Sequence, residues 1–320
     1  MSVHNGARYL RQAVDSILAQ SFTDFELVVV DDGSDDGTGD ILSSYRDGRL
    51  RVIRLSRVGL PAALNAGLRE CRADLIARMD SDDIARHDRL QVEVETMVSE
   101  PTLDIVCSDV VIIDTDGSET GRQTLGAADN RRIRDGLTFR KVVKPIINPT
   151  TMIRRRVFDA LGGYRDYVSE DTDLWLRALD TFSFGRINET LLSYRFNPSG
   201  ITRSKASLQA AGSCMAAANY TVHRQTGVDL YACQPVLFDR LQDLARAEVE
   251  RAMPAQEAFR KAKEQRRRSG KVAAYVAVAR VVLAHGASAL PYFALRRRRA
   301  LVSRLVEIAI SELNLMGRGD

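Results

Sequence analysis

Two apolar runs early in the chain stop in carboxylates. Leu27-Val28-Val29-Val30 ends in Asp31-Asp32-Gly33-Ser34, and Ala77-Arg78-Met79 ends in Asp80-Ser81-Asp82-Asp83. An apolar strand that ends this way belongs at the mouth of an α/β sheet, whose ligands sit in the crevice beyond the carboxyl ends of the strands. Asp31, Asp32, Asp80, Asp82 and Asp83 are unfavourable there unless a cation or hydrogen-bond donors compensate them. A divalent metal holding a nucleotide diphosphate would do so, since Mg²⁺ and Mn²⁺ take hard oxygen ligands, one or two carboxylates plus substrate phosphates. A third acidic group lies at Ser169-Glu170-Asp171-Thr172-Asp173, just before Leu174-Trp175-Leu176-Arg177. Carboxylates also favour helix starts, so helix capping stands beside catalysis for Asp80–Asp83 and for Glu170 and Asp171.

These groups need a scaffold that brings strand ends together, and the first 115 residues have the pattern for one. Leu10, Ala13, Val14, Ile17 and Leu18 recur at helical spacing within 9–20. A buried strand is expected over 25–30, with Ser34 as N-cap of a helix over 40–45. A strand over 50–55 follows, then a helix with Pro61 in its first turn, reaching Cys71. Strands at 75–79 and 105–113 flank a helix over 88–99. Strands alternating with helices imply a doubly wound, mostly parallel α/β sheet with right-handed crossovers. Residues 116–150 are less regular, with strand character returning over 142–147, and helices are expected over 154–161 and 171–179. Beyond Asn197-Pro198-Ser199-Gly200 long helical patterns take over, at 207–224, 235–252, 255–267, 272–284 and 300–315. The organisation expected is a catalytic domain over 1–200 and a helical region over 201–320.

Composition is that of a globular protein, 45% hydrophobic and 28% charged over 320 residues. The net charge of +4 hides an asymmetry: residues 201–320 carry 20 Lys/Arg against 10 Asp/Glu, and residues 1–200 carry 26 against 32. An acidic part suits a metal site, and a basic part suits an anionic surface. Cys71, Cys107, Cys214 and Cys233 form no CxxC pair, which fits a reducing compartment better than a disulfide framework. Met1-Ser2-Val3-His4-Asn5-Gly6 has no signal-peptide core. A cytoplasmic location is therefore expected.

In order along the chain, Val3-His4-Asn5-Gly6-Ala7-Arg8-Tyr9-Leu10, Ser16-Ile17-Leu18-Ala19-Gln20-Ser21-Phe22, Val30-Asp31-Asp32-Gly33-Ser34, Leu64-Asn65-Ala66-Gly67, Asp80-Ser81-Asp82-Asp83, Leu161-Gly162-Gly163-Tyr164 and Glu170-Asp171-Thr172-Asp173-Leu174-Trp175 resemble the motifs of family 2 glycosyltransferases of the GT-A, nucleotide-diphospho-sugar transferase superfamily. The resemblance covers residues 3–200. It implies inverting transfer of a sugar from a nucleoside-diphosphate donor, with uridine favoured, to the hydroxyl of a glycan or lipid-linked acceptor in polysaccharide or cell-envelope synthesis. Asp82, with Asp80, would hold Mn²⁺ or Mg²⁺. Val3, His4, Asn5, Asp32, Asn65, Asp80 and Arg195 would line the nucleotide-sugar site. Asp171 would be the general base, with Glu170 beside it, and Trp175 and Gly163 would face the acceptor. For Trp175 a place in the core is the competing reading, and for Arg195 a structural ion pair.

Two departures stand out. The family's first strand, which lies in mid-sheet, is cut to Ser2–His4, shorter than the usual five or six residues; apolar residues upstream of Met1, or a poorly stable chain, are expected. The family's Tyr-Arg-x-His reads Tyr194-Arg195-Phe196-Asn197 here. A catalytically inert binding or assembly subunit with the same fold is the alternative function. Residues 272–295 are apolar but broken by Arg280, His285 and Pro291; a central Arg costs ~2.5–3.5 kcal/mol in a spanning helix, so no membrane span is expected. Arg266–Arg268 and Arg296–Arg299 suit peripheral contact with the inner face of a membrane, a solvated helical face being the other reading. Nucleic acid is disfavoured, as no aromatic residues interleave the basic runs.

Overall fold

The computed structural model describes residues 1–125, 129–138, 146–197, 200, 206–251 and 291–316. The chain divides into two compact units, 1–134 with 143–204, and 135–142 with 205–320.

In the first unit β1 (Ser2–Val3), β2 (Leu27–Asp32) and β3 (Leu50–Leu55) form a parallel sheet in the order β1-β2-β3. Every residue of β2 is buried, which is why it reads as an unbroken apolar run: a parallel strand is covered on both faces. Between these strands run α1 (Leu10–Leu18) and α2 (Thr38–Ser44), and α3 (Leu60–Glu70) follows β3. Leu10, Ala13, Val14 and Ile17 of α1 are buried, and they pack with Val3, Leu27 and Val29. Helix α3 starts with Pro61 in its first turn. Its Gly67 lets it lie close to β2, since a Cβ there would stand 3.1 Å from Val30 Cγ2.

A second sheet contains β4 (Leu75–Ala77), β5 (Ile84–Ala85), β6 (Ile105–Ile113), β7 (Glu119–Gln123), β8 (Met152–Arg154) and β9 (Phe184–Arg195) in the order β4-β8-β6-β9-β5, with β7 on β6. Here β6 and β9 are parallel, while β8 runs antiparallel to β4 and β6, and β5 antiparallel to β9. The parallel pattern thus holds in the amino-terminal half and the carboxyl half is mixed. A parallel bridge from Ser2 to Asp80 joins the sheets, so β1 lies between the ends of β2 and β4. Helices α4 (Arg89–Ser99), α5 (Asn130–Leu137), α6 (Arg155–Leu161) and α7 (Glu170–Ala178) complete the unit.

The two-residue β1 leaves its mark on the core. Ser2 and Val3 pair with Val30 and Asp31, and Met1 donates its terminal ammonium to Val28 O at 2.9 Å. Burial, then the nearby Arg78 charge, lowers that amine's pKa to about 6. Beside it a cavity of about 310 Å³, lined by Leu27, Val28, Leu75, Ile76 and Ala77, separates β2 from β4.

Three local expectations are corrected. The second helix is capped at Gly37, not Ser34; Ser34 Oγ instead accepts Asn5 N–H at 2.9 Å. Residues 116–150 hold β7 and α5, which hydropathy spacing alone did not reveal. The strand expected over 75–79 ends at Ala77, and the short β5 follows the Asp80–Asp83 turn directly.

The second unit is helical: α8 (Ala206–Thr226), α9 (Leu230–Cys233), α10 (235–251) and α11 (Pro291–Met316). Small residues Ala210, Ala211, Ala216, Ala217 and Ala218 are buried on α8, which packs on α11. Asn219 ties α8 to α9, accepting Leu230 N–H at 2.8 Å and donating to Asp229 at 3.0 Å. Arg240–Glu312 and Arg304–Glu248 pairs link α10 to α11. The helices expected over 255–267 and 272–284, the Arg266–Arg268 run and most of the 142–147 strand lie outside the described residues. Among the described residues no helix is long and apolar enough to cross a membrane.

Candidate active site

The turn after β4 carries the densest charge. Asp80 is partly exposed and accepts Arg78 Nη2 at 2.6 Å. Asp82 is half-buried, and Asn197 Nδ2 donates to its Oδ2 at 3.3 Å. Burial, then the Asp80 charge, raises its pKa. Asp83 is buried, with one oxygen accepting Arg195 N–H at 2.7 Å and the other without a partner among the described residues. Its pKa is pushed well up by burial and by Asp80 and Asp82.

The amino end of α7 faces the same charges. Asp173 anchors the helix, paired with Arg177 at 2.7 Å and Arg165 at 3.3 Å. That leaves Glu170 and Asp171 half-buried in its first turn. Burial, then the Asp171 charge, lifts Glu170 to about 7. Asp171 is raised by burial, against hydrogen bonds from Thr172 N–H at 2.6 Å and its hydroxyl at 3.4 Å. Asp80 acts on both carboxylates, and so does the Arg78 guanidinium. The charges that act on the α7 carboxylates thus include two from the β4 turn, Asp80 and Arg78.

The other expected residues divide. His4 and Asn5 are exposed at the crevice mouth, His4 Nδ1 lying 2.9 Å from Asp32 O. Asn5 Nδ2 donates to Asp35 at 2.8 Å from a backbone at φ 53°. The side chain of Val3 is in the core, so only its backbone reaches the strand end. Asp32 is buried and accepts Val58 and Gly59 N–H at 2.6 and 2.9 Å, which shapes the loop before α3. Asn65 pairs its amide with the Tyr164 backbone at 2.7 and 2.9 Å. Gly163 is required by that clamp: a Cβ would lie 2.4 Å from Asn65 Oδ1, at φ 77°.

Two residues expected at the ligand are buried. Arg195 is 3% exposed. Its guanidinium donates to Asp82 O at 2.8 Å, Asp114 O at 2.9 Å and Gln12 at 2.7 Å, and it stacks on Tyr9. It locks the end of β9 to the turn that carries the carboxylates. Trp175 is 2% exposed and packs edge-on against Phe184 in the core.

Sequence reasoning passed over Arg78, Tyr164 and Asn197. The available signal for Arg78 was a cation one residue before the end of an otherwise apolar run. For Asn197 it was the substitution in the Tyr-Arg-x-His pattern.

A divalent cation fits the donor set but not as a closed cage. Asp80 and Asp82 offer hard oxygens, and the partnerless buried oxygen of Asp83 marks excess negative charge. Among the described residues no three His, Cys, Asp or Glu side chains are grouped to hold an ion. That matches ions held by one or two carboxylates with substrate oxygens completing the shell.

Residues 1–162, half of the chain, match glycosyl transferase family 2, and the chain belongs to that family. O-antigen biosynthesis glycosyltransferase WbnJ of Escherichia coli is 31% identical over 211 residues, 64% of this chain and 81% of that protein. The E. coli UDP-Gal:alpha-D-GlcNAc-diphosphoundecaprenol beta-1,3-galactosyltransferase is 27% identical over 197 residues, 59% of this chain and 69% of that protein. In fold, S. aureus TarS 1-349 in complex with UDP-GlcNAc superposes with TM-score 0.57 at 17% identity, covering 95% of this chain and 87% of that one. The mannosyltransferase PcManGT from Pyrobaculum calidifontis, in complex with GDP-Man and Mn²⁺, gives 0.55 at 19%, covering 98% and 85%. The fold is GT-A, followed by a helical carboxyl-terminal region, and the protein is a glycosyltransferase.

Proposed function

We propose that the chain transfers a sugar, with inversion, from a UDP-linked donor to a hydroxyl of a glycan or lipid-linked acceptor in cell-surface polysaccharide synthesis. The observation that carries this reading is the presence, within one compact unit, of the Asp80–Asp82 turn at the end of β4 and the carboxylates Glu170 and Asp171 in the first turn of α7, with Asp80 among the charges that act on both. A leaving-group side and a proton-accepting side, both of which direct displacement requires, are then supplied by one unit. The donor and acceptor classes are supported by relatives: UDP-GlcNAc in TarS, and a diphosphoundecaprenol acceptor in the E. coli galactosyltransferase.

Asp171 accepts the proton of the attacking hydroxyl. A carboxylate needs no activation at neutral pH, so its base strength comes from position and from water exclusion. Glu170, with its pKa near 7, is poised to hydrogen-bond acceptor hydroxyls in either protonation state. Asp82 and Asp80 would hold Mn²⁺ or Mg²⁺, which supplies positive charge for the diphosphate. His4 and Asn5 at the crevice mouth are placed to meet the nucleoside. A panel of UDP-, GDP- and dTDP-sugars with Mn²⁺, with product configuration read by NMR, tests the reading. Retention at the anomeric carbon, or no donor turnover at all, would sink it, and the second result would favour an inert subunit.

A cytoplasmic enzyme lying on the inner membrane face would suit a lipid-linked acceptor, and the basic carboxyl-terminal region supports it. Removal of 256–320 should then weaken co-sedimentation with anionic vesicles and reduce its salt sensitivity. Equal co-sedimentation of both forms would reject the membrane contact.

A further inference from the structure

We propose that Arg195 is a positioning residue for the metal-bearing turn, gripping the main chain of Asp82 and bringing a positive charge to that residue without taking up a carboxylate oxygen. The proposal rests on Asp82 as a metal ligand in the function inferred above.

Arg195 ends β9 and is buried. Its guanidinium ties together three other segments that are far apart in the chain. Nε donates to Asp82 O at 2.8 Å, Nη1 to Asp114 O at 2.9 Å and Thr115 O at 3.4 Å, and Nη2 to Gln12 Oε1 at 2.7 Å. Its Cζ lies 4.4 Å from the centre of the Tyr9 ring. The main chain is held as well. Arg195 N–H donates to Asp83 Oδ1 at 2.7 Å, and Phe196 N–H donates to Ile113 O at 2.7 Å. Two residues on, Asn197 Nδ2 donates to Asp82 Oδ2 at 3.3 Å. The end of β9 thus holds Asp82 by its carbonyl and by one carboxylate oxygen, and Asp83 by a carboxylate oxygen.

The acceptors point beyond packing. Among the described residues no carboxylate accepts from this guanidinium; its partners are main-chain carbonyls and one amide oxygen. Arg78, in contrast, spends an N–H on an Asp80 oxygen. A buried cation with only neutral acceptors is costly unless negative charge lies close. The residue whose carbonyl it grips supplies that charge. Burial and then Asp80 raise the Asp82 pKa, and the Arg195 charge acts against them. A direct ion pair would occupy the carboxylate oxygens that Mg²⁺ or Mn²⁺ takes as ligands. A charge delivered through the carbonyl steadies the ionised Asp82 and leaves its oxygens to other partners. Groups that hold a ligand from outside the coordination shell fix its orientation and tune metal affinity. A methionine at 195 could fill space beside Tyr9, but it could neither hold the Asp82 carbonyl nor carry charge.

The test uses Arg195→Met, Arg195→Lys and Gln12→Ala in the full chain, each checked for a cooperative melt. Calorimetry then measures UDP affinity in EDTA, and the Mn²⁺ concentration that half-saturates UDP binding. Loss of a group that orients a metal ligand commonly costs ~10–100-fold in metal affinity. Arg195→Met should raise the half-saturating Mn²⁺ by about tenfold or more, and excess Mn²⁺ should restore UDP binding. In EDTA its UDP affinity should stay within about twofold of wild type, since the residue acts through Asp82. Arg195→Lys, which keeps the charge, should need at least about threefold less Mn²⁺ than the methionine variant. A smaller shift in the methionine variant overturns the proposal. So does a UDP affinity weakened in EDTA, the mark of direct contact with the diphosphate. A lysine variant no better than methionine overturns it too, as the signature of packing alone. If the Arg195 variants do not melt cooperatively, Gln12→Ala decides. Gln12 is exposed, and releasing Nη2 should raise the half-saturating Mn²⁺ at least about threefold; an unchanged value overturns the proposal. Wild type that binds UDP no better with Mn²⁺ than in EDTA rejects the metal reading, and the proposal with it. Variants that match a metal-dependent wild type reject the role of Arg195 alone.

Discussion

The carboxyl ends of β2 and β4 look alike in sequence and differ in the folded protein. Each is an apolar run closed by aspartates. At β2 the charges meet donors. Asp32 takes two backbone N–H groups from the loop before α3, and Asp31 accepts Ser34 N–H at 3.0 Å. At β4 the charges meet other carboxylates, and burial with mutual repulsion raises Asp82, Asp83, Glu170 and Asp171 together. One strand end is satisfied by backbone N–H groups, and the other, though Arg78, Asn197 and Arg195 donate to it, crowds carboxylates against one another. The same acidic ending thus takes its character from what the fold packs around it.

The largest effect should come from the side of the cluster that handles the proton. Asp171→Asn should keep UDP–Mn²⁺ binding and lose transfer by ~10²–10⁴-fold, the usual worth of general-base catalysis. A variant with more than about a tenth of wild-type turnover would remove Asp171 from that role. Next is Asp82→Ala. It should abolish metal-dependent UDP binding with the melt preserved, and calorimetry showing wild-type affinity would refute the ligand assignment.

The β2 end should respond in the opposite currency. Asp32→Ala leaves two amides of the 58–59 loop without their charged acceptor, and hydrogen bonds to charged groups are worth ~1.5–3 kcal/mol each. We expect a drop of several degrees in Tm. An unchanged Tm with lost donor binding would mean that Asp32 faces the ligand after all, and the contrast between the two strand ends would collapse.

A pH measurement sharpens the comparison. Glu170 has a folded pKa near 7 against a reference of 4.5, so the native state binds a proton that the unfolded chain releases. Its contribution is complete below pH 4.5 and is lost as pH rises through 7. Relative to Glu170→Gln, wild type should lose about 2 kcal/mol between pH 5 and pH 8. The Met1 amine works in the reverse sense. Its folded pKa of about 6 lies below 8.0, so it adds stability as pH rises from 6 to 8, but equally in both proteins. Parallel curves of Tm against pH for wild type and Glu170→Gln would show that Glu170 titrates normally.

The smallest expected effect concerns the slot beside β1. Four or five apolar, β-branched residues joined ahead of Met1 would replace the buried ammonium by a peptide N–H and extend β1 between β2 and β4. They should raise Tm by a few degrees and leave the Asp171 and Asp82 phenotypes unchanged. No rise in Tm would mean that the cavity closes by itself.

Read along the chain, the residues determined the alternation of strands and helices, the two acidic strand ends, the acidic start of α7 and the family. These follow from periodicity and local composition, which depend on near neighbours. The fate of each polar side chain did not. Arg195 and Trp175 were expected at the ligand and are enclosed, because β9 turns Arg195 toward Gln12, far away in sequence, and α7 turns Trp175 toward Phe184 at the start of β9. Asn65 was expected at the donor and instead clamps the turn at Gly163 and Tyr164. Arg78 was unremarked in its apolar run and pairs with Asp80 beyond the end of β4. Burial and charge compensation are sums over everything that surrounds a side chain. Only the tertiary structure decided which aspartates met backbone donors and which were crowded against other carboxylates.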